Sequence, residues 1–515
     1  MPMDPRSGFC PSTRTFRSLR PPLPLPPEDA PFSFPSFAVS RLPSPLPAHP
    51  AFLDTSTGAE LSFPALISRV RSLAAALRGA LGVSKGDVAL VLASPSLHVP
   101  VVYLAVLSLG AIVSPFSPLS TAADVARAVD LCGASVVFTT AGTAGKLPAG
   151  RKMAVVLLDS PQFDSFLHGH EGVVADDGPL LSPPVEVRLS DVAAISYSSG
   201  TTGRTKAAAQ SHRRLIASSL QATAARTRAA GGHAVTSLLG VPMFHSYGFH
   251  MLMRGVAMAE TTAVVTAPRG GGAAAVVAAA ARCGATQMFV APPVVVAMAR
   301  RGGVGPEGFP DLVRVVCGGA PLSSAAASAF HEKFPDVELS LALGSTEGGI
   351  ISNMVGRQEC HRIKSTGYVG ANETRICAFD SDGWLKTGDL CYFDEDGFLY
   401  VVDRLKDLIK YNAYQVAPAE LEDALHLIPG ISDAAVIPYP DEEVGQIPMA
   451  FVVRQNKNTN LTEDQIMEFI AKQVAPYKKI RKVCFVDSIP RLPSGKLLRR
   501  ELHRHVTLPK STSRL

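Results

Sequence analysis

Residues Ser198 to Lys206 read SSGTTGRTK, a run of small hydroxyl and glycine residues ending in a lysine, directly after the apolar stretch Val192 to Tyr197. Such a run is suited to holding phosphate. Gly200 and Gly203 let the backbone approach an anion, while the hydroxyls of Ser198, Ser199, Thr201 and Thr202 and the ammonium of Lys206 supply donors and charge. No Gly-Lys-Ser/Thr follows a first glycine at the Walker A offset, so a nucleotide is expected but a P-loop kinase or GTPase is not. The alternative is a solvent-exposed Ser/Thr/Gly linker.

The surrounding pattern places that loop. Between about residues 60 and 345, strand-like runs (Val88–Ala93, Ser135–Thr139, Val155–Leu158, Ala263–Thr266, Gln287–Val290, Val313–Val316) alternate with helical stretches (Phe63–Leu81, Leu215–Arg228, Ala273–Arg282). The alternation predicts an α/β fold with helix-covered parallel sheets, and ligands of such folds bind beyond the carboxyl ends of the strands, where the loop falls. The longest apolar stretch, Val99 to Val113, is interrupted by Pro100, Ser108 and Gly110. It is too short to span a bilayer and reads as a buried helix ending near Leu109, with Gly110 as its C-cap and Ala111 to Ser114 as the next strand. After Asp403 the texture changes: helices are expected at Pro418–Leu427 and Thr462–Val474, and strands at Ala434–Ile437, Ala450–Val453 and Val483–Val486. This is a small separate α+β domain. The expected division is a Pro-rich segment 1–50, a main domain 51–403, a small domain 404–508 and a tail 509–515.

Whole-chain properties bound the function. A chain of 515 residues outgrows a single core. Its net charge of +5 owes much to a C-terminal cluster (Lys478, Lys479, Arg481, Lys482, Lys496, Arg499, Arg500, Arg504) that lacks interleaved aromatics or a reader motif, so nucleic acid is not an expected partner. The eight cysteines form no Cys-x-x-Cys pair or Cys/His cluster, which argues against zinc and for a reducing compartment. Ser513-Arg514-Leu515 resembles the Ser-Lys-Leu address read by the peroxisomal import receptor, with cytoplasm as the alternative location. Residues 1 to 50 hold 14 of the 41 prolines and are expected to be extended and wrapping rather than helical. A transit peptide is the rival reading there, weakened by Asp4 and the prolines.

Further motifs follow the loop in order: VPMFHSYG (Val241–Gly248), CGGAPL (Cys317–Leu322), GSTEGG (Gly344–Gly349), GWLKTGDL (Gly383–Leu390), YVVDRLKDLIKYNAYQVAPAELE (Tyr400–Glu422) and PRLPSGKLLRREL (Pro490–Leu502). With SSGTTGRTK, this series resembles the adenylate-forming enzymes, which include acyl-CoA synthetases, beetle luciferases and peptide-synthetase adenylation domains. Within them it is most similar to plant 4-coumarate:CoA ligases and their peroxisomal ligase-like relatives. The resemblance runs from about Phe16 to Leu502 and implies a large domain of helix-covered sheets with a β-barrel-like subdomain, then a small mobile domain.

What it implies chemically can be assigned residue by residue. A carboxylate is a poor acylating agent, so such enzymes join it to AMP, expel pyrophosphate, and then exchange AMP for the thiol of CoA. The loop Ser198 to Lys206 would hold the β- and γ-phosphates of ATP, Thr346 beside Gly344 would contact the α-phosphate, and Glu347 would hold Mg²⁺. Asp389 would accept from the ribose hydroxyls, supported by Arg404. His245, Tyr247, Gly318 and Gly319 would surround the acyl substrate. Lys496 would stabilise charge on the carboxylate and α-phosphate during adenylation. Lys406 matches the hinge about which the small domain turns, after which Lys410 and Gln415 would reach the adenylate and Ala413 would lie by the CoA tunnel. Taken one by one, these residues also have plain readings: Glu347 as a surface carboxylate, the Asp389 segment as a turn, His245 as a buried structural histidine and Lys496 as one of many basic residues.

Three features depart from the family pattern. Leu343 stands where an aromatic usually stacks on adenine. Ala413 replaces the glycine usual in the Lys-x-x-Gly-Phe/Tyr-Gln segment, near the CoA entry. Only 42 positions separate Glu347 from Asp389, about forty fewer than is usual, enough for several strands, so the barrel-like subdomain is expected to be incomplete. The resemblance implies an acid–thiol ligase acting on a hydroxycinnamic (phenylpropanoid), fatty or oxylipin-like acid. The alternatives are an adenylating enzyme with an acceptor other than CoA, and a nucleotide- or acyl-binding isoform impaired by the shortened segment.

Overall fold

The computed structural model describes residues 3–168, 185–198, 206–224, 234–266, 272–300, 303–363, 365–369, 385–412, 414–456, 460–492 and 495–507. Local chemistry sets its helices. The helix Phe63–Leu81 starts where the Ser62 hydroxyl accepts the Ala65 N–H and stops at Gly82, whose φ of +68° suits glycine. Leu66, Val70, Leu73, Ala74 and Leu77, spaced as one helical face, are its buried stripe. The helix His98–Ser108 is buried almost all round, as its apolar sequence predicts. Its cap is Leu109, and Gly110 (φ +68°) is the left-handed residue one position beyond, so the expected cap shifts by one.

Two sheets dominate. The six-stranded sheet runs Lys206–Ser211, Val192–Ser198, Ile112–Pro115, Val88–Leu92, Val136–Thr139, Ala154–Leu157, all parallel but for the first. The nine-stranded sheet has a parallel centre from Glu338–Ser345 through Arg314–Gly318, Gln287–Val290, Thr236–Leu239 and Thr261–Val264 to Pro50–Asp54. Gly349–Asn353 and Tyr368–Val369 extend one edge and Glu60–Ser62 the other, all antiparallel. One core joins the two sheets across the helices Phe63–Leu81, His98–Ser108 and Ser246–Ala257. A third sheet, built from Ile409–Tyr411, Tyr414–Val416, Ile431–Asp441, Gly445–Arg454 and Lys482–Phe485, packs on the helices Pro418–Leu425 and Glu463–Ala471 around its own core. The βα alternation and the later α+β texture are thus both present, with strand bounds shifted by one or a few residues.

Among the described residues, the barrel-like region consists of the antiparallel pair Asp389–Phe393 and Leu399–Arg404 and the bridge from Ser365 to Tyr400. Residues 370–384, in the shortened stretch, lie outside the description. The N-terminal segment covers that pair: Phe16 stacks on Phe393 at 3.9 Å, and Arg20 forms a half-buried ion pair with Glu359, whose Oε2 also accepts the Val355 N–H at 2.8 Å. Further along, the Pro26 carbonyl accepts from Arg213 and the Phe34 N–H donates to His212 Nδ1 at 3.0 Å. The segment wraps as expected, but it is not free of helix. Phe34–Ser40 is helical because Ser33 caps it, Pro35 sits in the first turn where no N–H is needed, and Phe34 and Ala38 enter the core. No described helix is long and apolar enough to cross a membrane.

Candidate active site

The strands Val192–Ser198 and Lys206–Ser211 form a hairpin in which Ser198 faces Lys206. Residues 199–205 join them, so Ser199, Gly200, Thr201, Thr202 and Gly203, expected to hold phosphate, lie outside the described residues, as does Ala413. The two footings are described: Lys206 is exposed, and the Ser198 hydroxyl donates to Glu347 Oε1 at 2.7 Å. The loop's base and the candidate metal ligand are therefore in contact.

Glu347 sits in a hairpin between Glu338–Ser345 and Gly349–Asn353. Its shape depends on two glycines. A Cβ at Gly344 would fall 2.8 Å from the Gly349 carbonyl oxygen, and Gly349 has φ +70°. Side chains from the loop-bearing unit then fix the hairpin. Gln210 donates to the Thr346 carbonyl at 3.1 Å, and Arg214 donates to the carbonyls of both Thr346 and Glu347. Burial brings the Arg214 guanidinium down to about 10, while the Glu347 charge works in the opposite direction. Sequence reasoning missed Gln210 and Arg214. The helix containing Arg214 starts at His212, three residues before the expected Leu215, and nothing in the local pattern names a carbonyl some 130 residues away as its partner.

His245 caps the helix Ser246–Ala257, its Nδ1 accepting the Tyr247 N–H at 3.3 Å. Burial, and then the Lys496 charge, push its pKa below the usual histidine value. The ring is thus neutral near pH 7, with its proton on Nε2 as a single donor. The Tyr247 hydroxyl donates to the Val316 carbonyl at 3.0 Å, and its ring lies where a Cβ at Gly318 would come within 3.6 Å. Gly318 therefore makes room for Tyr247 and for the Ala342 carbonyl, while exposed Gly319, at φ +88°, takes a conformation that favours glycine.

Asp389 and Arg404 are cross-strand partners joined by an ion pair. Lys496 arrives from the third sheet's side. Its turn is closed by Leu492 N–H donating to the Lys496 carbonyl and Gly495 N–H donating to the Leu492 carbonyl, both at 2.8 Å. Gly495 (φ +81°) packs so closely that a Cβ would meet Ala291 and Pro293 at 3.1 Å. Burial, then Arg404 and Lys406, lower the Lys496 pKa, while Asp407 and Glu347 oppose them. The ammonium therefore feels Glu347, His245 and Arg404 at once. Lys410 and Gln415 instead face each other across the hairpin Ile409–Tyr411/Tyr414–Val416, both exposed. The structure brings Lys496, and not this pair, to the cleft.

The donor set fits Mg²⁺: a hard, half-buried carboxylate beside the Ser198 hydroxyl. Among the described residues no cluster of three or more His, Cys, Asp or Glu gathers as a metal centre. A single carboxylate is what an ion carried largely by phosphate oxygens needs.

The chain is similar to known proteins in both sequence and fold. Residues 43–392 match the family model of the AMP-binding enzymes, and residues 420–496 match that of the AMP-binding enzyme C-terminal domain. 4-Coumarate–CoA ligase-like 5 of Oryza sativa subsp. japonica is 46% identical over 530 aligned positions, covering 97% of this chain and 95% of that protein. Peroxisomal OPC-8:0-CoA ligase 1 of Arabidopsis thaliana is 39% identical over 548, covering 98% of each. Both alignments are longer than the 515-residue chain, so they open gaps in it. In fold, the chain superposes on ATP-bound MatB from Rhodopseudomonas palustris with a TM-score of 0.78 at 22% identity, covering 92% of this chain and 99% of that one. The anthranilate CoA ligase AuaEII bound to anthranoyl-AMP gives 0.78 at 20% identity, covering 94% and 98%. With a matched model over most of its length and relatives of this identity along nearly all of it, the chain belongs to the AMP-binding, adenylate-forming enzymes, in the group of 4-coumarate–CoA ligase-like proteins.

Proposed function

We propose that the protein is an ATP-dependent acid:CoA ligase that activates a carboxylic acid as its acyl-adenylate and passes the acyl group to CoA. The observation that carries this reading is the position of Lys496: a half-buried cation from the C-terminal region, close enough for its charge to act on Glu347, His245 and Arg404. In the first step a carboxylate oxygen bonds to the α-phosphorus of ATP and the bond to pyrophosphate breaks. Negative charge gathers where the carboxylate and α-phosphate meet, and Lys496 supplies the compensating charge. Asp389, held by Arg404, accepts from the ribose hydroxyls, and the Thr346 hydroxyl donates to the α-phosphate. Ser198 and Lys206 hold the departing phosphates with the loop between them. Glu347 with Ser198 would hold Mg²⁺, which when bound neutralises phosphate charge. In the second step the CoA thiolate attacks the carbonyl carbon and AMP leaves. For this step Lys410 and Gln415 would replace Lys496 by rotation about Lys406, with Ala413 near the thiol.

The acid is of the hydroxycinnamic, fatty or oxylipin-like class, lying against His245, Tyr247 and the glycines 318 and 319. A relative named as a peroxisomal OPC-8:0-CoA ligase supports the oxylipin and peroxisomal reading. Ser513-Arg514-Leu515, outside the described residues, supplies a sequence suited to the import receptor. The proposed division at Arg404 to Lys406 is supported by the end of one strand at Arg404 and the start of the next, in the third sheet, at Ile409.

The test is pyrophosphate release from ATP and Mg²⁺ by the purified full chain against cinnamic, medium-chain, long-chain and oxylipin acids, with and without CoA. Acid-dependent release that rises with CoA and collapses in Lys496→Ala is the expected result. Acid-dependent release that ignores CoA would assign a different acceptor. No release from folded protein would overturn the enzyme reading in favour of a binding isoform.

A further inference from the structure

Helix His212–Ala224 follows the loop-bearing hairpin directly, and its side chains reach the hairpin that bears Glu347. Arg214, 6% exposed, donates Nη1 to the Glu347 carbonyl and Nη2 to the Thr346 carbonyl at 3.3 Å. Two turns on, Gln221, also buried, donates to the Ile350 carbonyl at 3.1 Å. Between them, Ser218 and the Arg214 guanidinium line the space beside Gly349, where a Cβ would stand 3.2 Å from Nη2 and 3.5 Å from the Ser218 hydroxyl. Just before the helix, Gln210 adds its own donation to Thr346. Residues 214, 218 and 221 recur at the spacing of one helical face. This face grips a backbone segment, not side chains, and so dictates where the peptide planes of Thr346 and Glu347 point.

We propose that Arg214 is a positioning residue for nucleotide and Mg²⁺ binding: its fork on two successive carbonyls sets the direction of the Thr346 hydroxyl and Glu347 carboxylate relative to the paired residues Ser198 and Lys206. The inference rests on the reading of Thr346 and Glu347 as the α-phosphate and metal contacts. The physical case is that a planar guanidinium fixes two acceptors in one geometry, which an ammonium or an amide cannot reproduce. The same helix follows the strand Lys206–Ser211, which pairs Lys206 with Ser198, so the strand bearing Lys206 and the helix that holds the Glu347 backbone are continuous in the chain.

The experiment compares wild type, Arg214→Met and Arg214→Lys in the full chain by two readouts. Calorimetric ATP binding with and without Mg²⁺ needs no turnover. Pyrophosphate release at varied Mg²⁺ measures half-saturation. The Met variant is expected to lose the Mg²⁺-dependent gain in ATP affinity and to raise half-saturation by about tenfold or more, as loss of a buried charge-assisted bond does. The Lys variant should fall between, with the KM for the acid unchanged in both. A folded Met variant with wild-type Mg²⁺ dependence would overturn the proposal. Should Met prevent folding, a Lys variant indistinguishable from wild type would do so. If wild type releases no pyrophosphate with any acid, the ligase reading fails, yet the calorimetric arm still decides the role of Arg214.

Discussion

Asp389 and Arg404 stand opposite each other on two antiparallel strands and form a 2.9 Å ion pair in which the carboxylate side chain is only 6% exposed. The strand register presents a carboxylate that is already oriented before a ribose arrives. Replacing Arg404 with glutamine leaves that carboxylate buried without its cation, and Asp389→Ala removes the acceptor itself. Each should raise the KM for ATP by about ten- to a hundredfold and leave the KM for the acid nearly unchanged. Steady-state kinetics with each substrate varied check this, and an equal rise in both KM values would refute the ribose assignment.

Lys496 is held below the ordinary lysine range by burial and by the cations Arg404 and Lys406. Adenylation needs its protonated form, so the rate should fall on the alkaline side at a lower pH than an exposed lysine would give. Nearby positive charge disfavours the ammonium, so removing it raises the pKa. In Lys406→Met the alkaline limb of acid-dependent pyrophosphate release should therefore move to higher pH. A limb that stays put or moves down would show that another group controls it.

Gly495 is the point at which the lysine turn touches Ala291 and Pro293. An alanine there combines a left-handed φ that L side chains rarely adopt with two tight 3.1 Å contacts, so the turn is expected to shift. Adenylation should slow by about tenfold or more, while conversion of a supplied acyl-adenylate to its CoA ester keeps most of its rate. Measuring the two half-reactions separately tests the split, and equal slowing of both would count against it.

His212 is fully buried with Nδ1 accepting the Phe34 N–H, and burial lowers its pKa to about 4. The unfolded chain takes up this proton near the ordinary value of about 6.5. Between those values the unfolded state holds more protons, so stability is complete above the upper one and falls as pH drops towards the lower. The loss is about 3 kcal/mol for this one residue. His212→Asn keeps an acceptor for Phe34 without the titration. Its melting temperature should decline less steeply than that of wild type between pH 6.5 and 4, a comparison for differential scanning calorimetry.

The sequence made some of this visible and hid the rest for identifiable reasons. Phe63–Leu81 was legible to the residue because a serine cap, a helical apolar stripe and a terminal glycine agree. The strand Gln287–Val290 was equally plain, being a short apolar run between a glycine-containing turn and paired prolines. Thr346, Glu347, Asp389 and Lys496 could be singled out because each lies in a motif whose spacing is local. The helix Phe34–Ser40 was lost among prolines, since one proline at a helix start looks like any other until the burial of Phe34 is known. Arg214, Gln210 and Gln221 were illegible for a different reason. Their partners are backbone carbonyls more than a hundred residues away, and a carbonyl has no identity in sequence.

The belt formed by the N-terminal segment also has a consequence in time. Arg20 closes on Glu359 across 339 positions, and Phe16 stacks on Phe393 farther still. At synthesis rates of about 5–20 residues per second, Arg20 waits roughly 20 to 70 s for its partner to be made. Residues made early are thus among the last to find their places. The small sheet they cover gains that cover only once nearly the whole main domain exists.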